Sequence, residues 1–331
     1  MNEALSPELD TERIRVWTRL SEIFSPHTIE LRRKLFNYPK DHENPTARFV
    51  HYTSAEAGIS IIQSQRLWMR NTMCMSDYRE VQHGFDNFHS FFAMQPNEAN
   101  FLAALDKCFP GIGKEAFAIF NKWLTDIRTN TYITSLSEHD TSEDIPGRLS
   151  MWRAFGSDSA RVAIVLKTKW RSDTGIRLRL TVSPVTYLAK NAVHEMLLEV
   201  IENVQRHCDF LQSLGKQQVL NYLVHMLMTE VVCHKHEGFR EEKEWRAIYA
   251  PARLPSDVIQ SDVRVIPGVP QVIYKIPLEG EFHLKDLLDR IIIGPTQYSL
   301  AIAQALITEL LKIGVSDAAN RVFMSDIPIR T

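Results

Sequence analysis

Residues 48–71 read RFVHYTSAEAGISIIQSQRLWMRN. Phe49, Val50 and Tyr52 surround a single histidine, His51, so the stretch opens as an apolar, aromatic strand. Thr53 and Ser54 then offer an N-cap for a helix running to about Gln65, because a hydroxyl there can take one of the unpaired N–H groups of the first turn. Ala57, Ile61 and Ile62 recur at helical spacing, which buries one face of that helix. Leu67, Trp68 and Met69 resume an extended apolar run. The expectation is a strand–helix–strand unit that presents one polar group, His51, at a strand end.

Outward from that unit the pattern alternates between strands and long helices. Asn130–Ser137 (NTYITSLS) alternates Tyr132, Thr134 and Leu136 with Ile133, Ser135 and Ser137, the period of a strand. Arg161–Lys167 (RVAIVLK) is almost wholly apolar, as a central strand would be. Arg290–Pro295 (RIIIGP) predicts a buried strand, followed by a helix over 299–313 and a last strand in VFMSDIPIR. Helical spacing fills 97–105, 114–128 and 192–232, the last interrupted near Gly215. Before the opening unit, Ile14, Trp17, Leu20 and Ile23 form a narrow apolar stripe, a second short helix follows Pro26, and YPKDHENPTAR reads as a linker. The predicted organisation is a helical N-terminal extension over 1–45 and one α+β domain over 46–331, with a mixed β core and long helical insertions.

Composition bounds the chemistry. The chain has 331 residues, 44% of them hydrophobic and 24% charged, with a formal net charge of -2. That charge supplies no general basic field for nucleic acid. The four cysteines are scattered without a CxxC pair, which suits a reducing compartment. The first residues, MNEALSPELDTERIR, lack the apolar core of a signal peptide, and no run reaches the ~18 apolar residues of a membrane span. A cytoplasmic protein without membrane contact is expected.

Several blocks taken together (FVHYTS…IIQSQRLW, SDYRE, YITSLSE followed by MWRAFG, EEKEWR, IIIGP and SDIPIR) resemble the bacterial family catalogued as domain of unknown function 2971, over roughly residues 46–331. A more distant likeness points to chemistry. A His-Tyr-Thr strand end, a helix with paired isoleucines and a short apolar strand are similar to the first block of ADP-ribosyltransferases. The order His51, then Thr134-Ser135-Leu136-Ser137, then Glu242-Lys243-Glu244 resembles the three strand motifs by which that fold binds NAD. The middle motif departs from the usual Ser-Thr-Ser. The resemblance implies an ADP-ribosyltransferase-like β core, NAD as substrate, and Glu244 and Glu242 as catalytic carboxylates.

Cleaving the bond between nicotinamide and ribose passes through an oxocarbenium-like state, which an ionised carboxylate stabilises. If Glu242, Glu244 and Arg246 share one strand face, Glu244 would hold the ribose hydroxyl while Glu242 activates an acceptor. The competing role is a structural ion pair in which Arg246 neutralises a glutamate. A neutral His51 could bond a ribose hydroxyl while the backbone of Tyr52 or Thr53 meets the nicotinamide amide; otherwise it is a satisfied core histidine. Ser135 and Ser137 would brace the pocket. Trp152 and Phe155 would stack on nicotinamide or simply fill the core. Cys233, His234 and His236 lack the partner pair of a zinc site, and no metal is expected.

The leading expectation is therefore an NAD-binding protein that transfers ADP-ribose to a protein or nucleic-acid acceptor, or cleaves NAD, in the role of a toxin or antiphage effector. The alternative is a non-catalytic nucleotide-sensing or protein-interaction module of a bacterial defence system, with the N-terminal helices docking a partner. A nuclease using His51, Asp77 and Glu80 is the third reading.

Overall fold

The computed structural model describes residues 7–36, 47–74, 79–154, 160–167, 177–266 and 268–328. The chain forms two compact units, each gathered from three segments. One contains Met1–Leu35, Asp77–Arg128 and Ser183–Phe239, the other Phe36–Ser76, Thr129–Val182 and Arg240–Thr331. The predicted insertions are helical. Neither unit coincides with the single stretch 46–331, because the inserted helices pack on one another and on the first N-terminal helix.

The first unit is helical. The helix Arg79–Ala93 packs on Lys216–Val232 and Lys190–Arg206, and Pro7–Phe24 also packs on Lys190–Arg206. Phe88, Phe91, Val193, Leu197, Val200, Leu223 and Leu227 are buried in its core. Gly84 lets two of these helices approach closely: a Cβ there would lie 2.4 Å from the Val231 carbonyl oxygen. The expected run 192–232 breaks twice, at His207 as well as at Gly215.

The second unit carries an open, mixed sheet, giving an α+β fold. Its strands are β1 (Arg48–Ser54), β2 (Arg66–Asn71), β3 (Tyr132–His139), β4 (Arg161–Lys167), β5 (Thr181–Pro184, where the unit boundary falls), β6 (Glu244–Tyr249), β7 (Gln260–Val265), β8 (Pro270–Pro277), β9 (Leu288–Ile293) and β10 (Val322–Met324). The order along the sheet is β10-β9-β4-β1-β3-β2-β8-β7, with β6 paired to β3 off that path. β9 and β10 run parallel, and the other pairs along that path are antiparallel. The predicted central strand, β4, lies between β1 and β9. The opening unit forms as expected: Ser54 is the N-cap of the helix Ala55–Ser64, accepting from the Ala57 N–H, and Gln65 ends it in the left-handed region.

Strand register places the site. Ser137 opposes Val50 on one edge of β3 and Glu244 on the other. Tyr132 and Ile133 oppose β2 on the first edge and β6 on the second. β1 and β2 therefore share one edge of β3 and part company along it, and residues 134–136 pair with neither. Apolar side chains pack on both faces. Ile61, Ile62, Val162, Ile164 and Ile291 belong to the larger cluster, and Val50, Tyr52, Trp152, Ala163 and Val165 to the smaller one on the opposite face.

Candidate functional site

Directly opposed residues of an antiparallel pair point to the same face. Val50, Ser137 and Glu244 are mutually opposed across β1, β3 and β6, so Tyr52, Ser135 and Arg246 lie on that face as well. Phe49, His51 and Thr53 lie on the other, with Leu136 and Trp245. Contacts agree with this division: Phe49 meets Trp245 edge to face at 5.3 Å, and Trp245 Nε1 donates to Glu138 Oε1 at 2.8 Å.

His51 and Glu244 thus leave opposite faces of the sheet, and Ser135 joins them. The His51 Nδ1 lies 3.0 Å from the Ser135 carbonyl oxygen, in the gap where β1 and β2 separate. A carbonyl only accepts, so Nδ1 carries the proton and Nε2 of the neutral ring is left as an acceptor. Burial pushes the imidazole below its ordinary pKa against the opposing effect of that bond, which keeps it neutral at pH 7. The Ser135 hydroxyl donates to Glu244 Oε1. Arg246 grips both oxygens of the same carboxylate, Nε to Oε1 at 2.9 Å and Nη2 to Oε2 at 3.1 Å. Glu244 is 6% exposed and Arg246 2%. Three residues separated by 84 and 109 positions thus form one hydrogen-bonded chain through β3.

Glu242 does not join them. It ends a turn of 3-10 helix over Glu237–Glu242, and Lys243 follows with φ 45°, so the strand begins only at Glu244. The alternation expected over 242, 244 and 246 therefore holds for the last two alone. Arg148 holds that turn. Its Nη1 donates to the carbonyls of Glu241 and Glu242 at 3.1 and 2.7 Å, and its Nη2 to the Glu138 carbonyl at 2.6 Å. Glu143 pairs with the same guanidinium, and the Arg148 backbone N–H donates to the Tyr52 hydroxyl at 2.8 Å. Nothing in the polar loop around Arg148 signals this in the sequence.

Tyr52 and Trp152, both expected near a ligand, are core residues here. Their rings meet edge to face at 4.9 Å. Trp152 is 1% exposed and donates from Nε1 to the Pro146 carbonyl at 2.8 Å. Gly147, with φ +67°, lies against the indole so closely that a Cβ would come within 2.5 Å of it. Neither of these two rings leaves a face for nicotinamide. Burial also pushes the Tyr52 hydroxyl up to about 12. Thr53 is half-buried on the His51 face and Ser137 is buried beside Glu244. Phe155 and Asp77 lie outside the described residues, as does the Glu80 side chain.

A second polar cluster closes the other end of the strands. Arg48 bonds Asp144 and Asp289 at 2.8 and 2.9 Å, His139 Nε2 bonds Asp144 at 2.9 Å, and Arg290 pairs with both aspartates. Against burial, which would raise it, bonds from Arg290, Arg48 and Lys167 hold the Asp289 carboxyl down at about 2. This network ties the starts of β1 and β9 to the end of β3.

In the helical unit, His83 and His234 stack at 5.3 Å and His236 lies 5.8 Å from His83. The Asn87 Nδ2 reaches His83 Nε2 at 3.1 Å and His234 Nε2 at 2.9 Å. Burial, and then His83, lowers His234 to about 4. Only the CHKHE half of this cluster is visible as a motif, since His83 is remote in the chain. Among the described residues no group of three or more His, Cys, Asp or Glu side chains is placed to hold a metal ion.

Residues 151–247 match the family described as Protein of unknown function (DUF2971). The match takes in Trp152, Glu244 and Arg246 and stops short of His51 and Ser135, so it covers the second half of the hydrogen-bonded chain. No curated protein and no solved structure matches the chain. Among the described residues no helix is long and apolar enough to cross a membrane.

Proposed function

We propose that the His51–Ser135–Glu244 region is an NAD-binding site of ADP-ribosyltransferase type, and that the chain transfers ADP-ribose to a macromolecule or cleaves NAD. The supporting observation is the convergence of three motif residues, remote in sequence, on one strand at the point where the sheet edge splits. In this reading the ribose lies on the Glu244 face, the nicotinamide amide pairs with backbone groups of β1 beyond Val50 on the side that faces the gap, and His51 acts from the opposite face by holding the Ser135 carbonyl. The hydroxyl that reaches Glu244 would take the place now filled by the Ser135 hydroxyl. Arg246 would keep the carboxylate ionised, as stabilising a developing oxocarbenium ion requires. A toxin or antiphage role is an analogy from the resemblance.

A second reading rests on the same carboxylate. Both oxygens of Glu244 are engaged by Arg246 and Ser135 in a buried position, so the carboxylate serves the pocket wall as a structural ion pair and not as a reacting group. The chain would then be a nucleotide-sensing module. Calorimetric titration with NAD, paired with an assay for its consumption, separates the two. Binding with consumption supports the enzyme and binding alone the sensor. A chain that neither binds nor consumes NAD contradicts both.

A further inference from the structure

The last strand of the sheet path, β7, pairs with β8 alone among the described residues. The Ile266 N–H donates to the Val269 carbonyl at 3.0 Å, which fixes the phase of the pairing. By alternation residues 260, 262 and 264 turn their backbone groups toward β8, and Ser261, Val263 and Val265 turn theirs outward. The Val263 N–H accordingly finds no strand and is met by its neighbour's carboxylate, Asp262 Oδ1, at 2.8 Å. Val263 opposes Val272, so these two and Val265 share one face, and they are 64, 41 and 66% exposed. That face runs on through Tyr274 to Ile276, which is in the core. An open edge beside an exposed valine face is a template for another strand.

The charges on β7 select the partner. If two copies of β7 pair antiparallel about a two-fold axis at Val263, Val263 opposes itself, Ser261 opposes the partner's Val265, and Asp262 opposes the partner's Arg264. The outward backbone groups of 261, 263 and 265 are those that such a pair uses. Residues 262 and 264 then fall at the non-hydrogen-bonded positions, where side chains approach most closely. A two-fold at 262 or 264 would oppose a charge to its own copy and centre the pair on inward-facing backbone. We propose that β7 is a homodimerisation edge and that a second copy of this chain pairs with it in the Val263-centred register. Asp262 bonds Lys275 and Arg264 within its own chain, so the exchange costs little new ordering.

The test is the mass of the full chain by sedimentation velocity over a concentration series. The wild type is expected to move from monomer to dimer. Arg264→Asp, and separately Asp262→Arg, replace attraction by repulsion at two symmetric positions and are expected to weaken association at least roughly tenfold. Mixed together, these two variants regain opposite charges across the pair and are expected to form a heterodimer, which a misfolded variant could not do. A wild type that stays monomeric at the highest attainable concentration overturns the proposal. So does a dimer that neither variant weakens, or variants that fail to associate when mixed.

Discussion

Replacing Arg246 by Met tests the buried ion pair at the heart of the site. The methionine fills similar space but leaves the Glu244 carboxylate, 6% exposed, with the loss of its bidentate partner. Removing one member of a buried pair costs on the order of 3–5 kcal/mol, because the remaining charge sits in a medium of low dielectric. Each kcal/mol moves the melting temperature by roughly 2–4 °C in a unit of this size, so a fall on the order of 10 °C is expected. Adding Glu244→Leu to Arg246→Met should recover most of that loss, since exchanging both charges for apolar groups is near neutral or stabilising. Thermal unfolding of wild type, both single variants and the double variant gives the coupling directly. A fall of a degree or two for Arg246→Met, or a double variant no more stable than it, would show the carboxylate to be solvated and would refute the burial on which the site rests.

Three further expectations concern packing and protonation. Two groups in the helical unit pull its stability in opposite directions with pH. His234, held to about 4, leaves the unfolded chain binding more protons below its ordinary 6.5, so stability falls as pH drops from 6.5 toward 4, by up to about 3 kcal/mol. Burial raises Glu230 to about 7 despite a bond from Thr28, so the folded chain binds the extra proton and stability falls as pH rises from 4.5 through 7, by a similar amount. Urea unfolding between pH 4.5 and 7.5 should therefore be flatter for the wild type than for Glu230→Gln, which retains only the acid-side loss. Identical profiles would contradict the buried, protonated carboxyl. Gly84→Ala forces a Cβ to within 2.4 Å of the Val231 carbonyl and should destabilise by about 1–3 kcal/mol in the same assay. Arg148→Met strips the donors that hold Glu138, Glu241 and Glu242, and faster amide exchange is expected in β6 and the turn before it.

Where local pattern governs, the sequence was a sufficient guide. The Ser54 cap, the helix to Ser64, the apolar β4 and the β9 strand followed by a helix all follow from periodicity and capping. Long-range register was not legible. His51 and Glu244 were expected to line one pocket, but which face each side chain takes depends on how β1 and β6 align with β3, and a one-residue shift inverts it. Glu242 falls outside the strand because a left-handed Lys243 interrupts what reads as a continuous Glu-x-Glu strand. Arg148 and His83 each combine near partners with remote ones, Glu241 and Glu242 for the first and His234 for the second, and no spacing rule connects the remote ones.

Nicotinamide release from NAD by the purified full chain, read beside Glu244→Gln, decides whether Glu244 acts on NAD. Release by the wild type and its loss in the variant are expected, with the melting curve of the variant retaining a cooperative transition. Release that persists unchanged in Glu244→Gln, or a wild type that leaves NAD intact and unbound, would contradict that role.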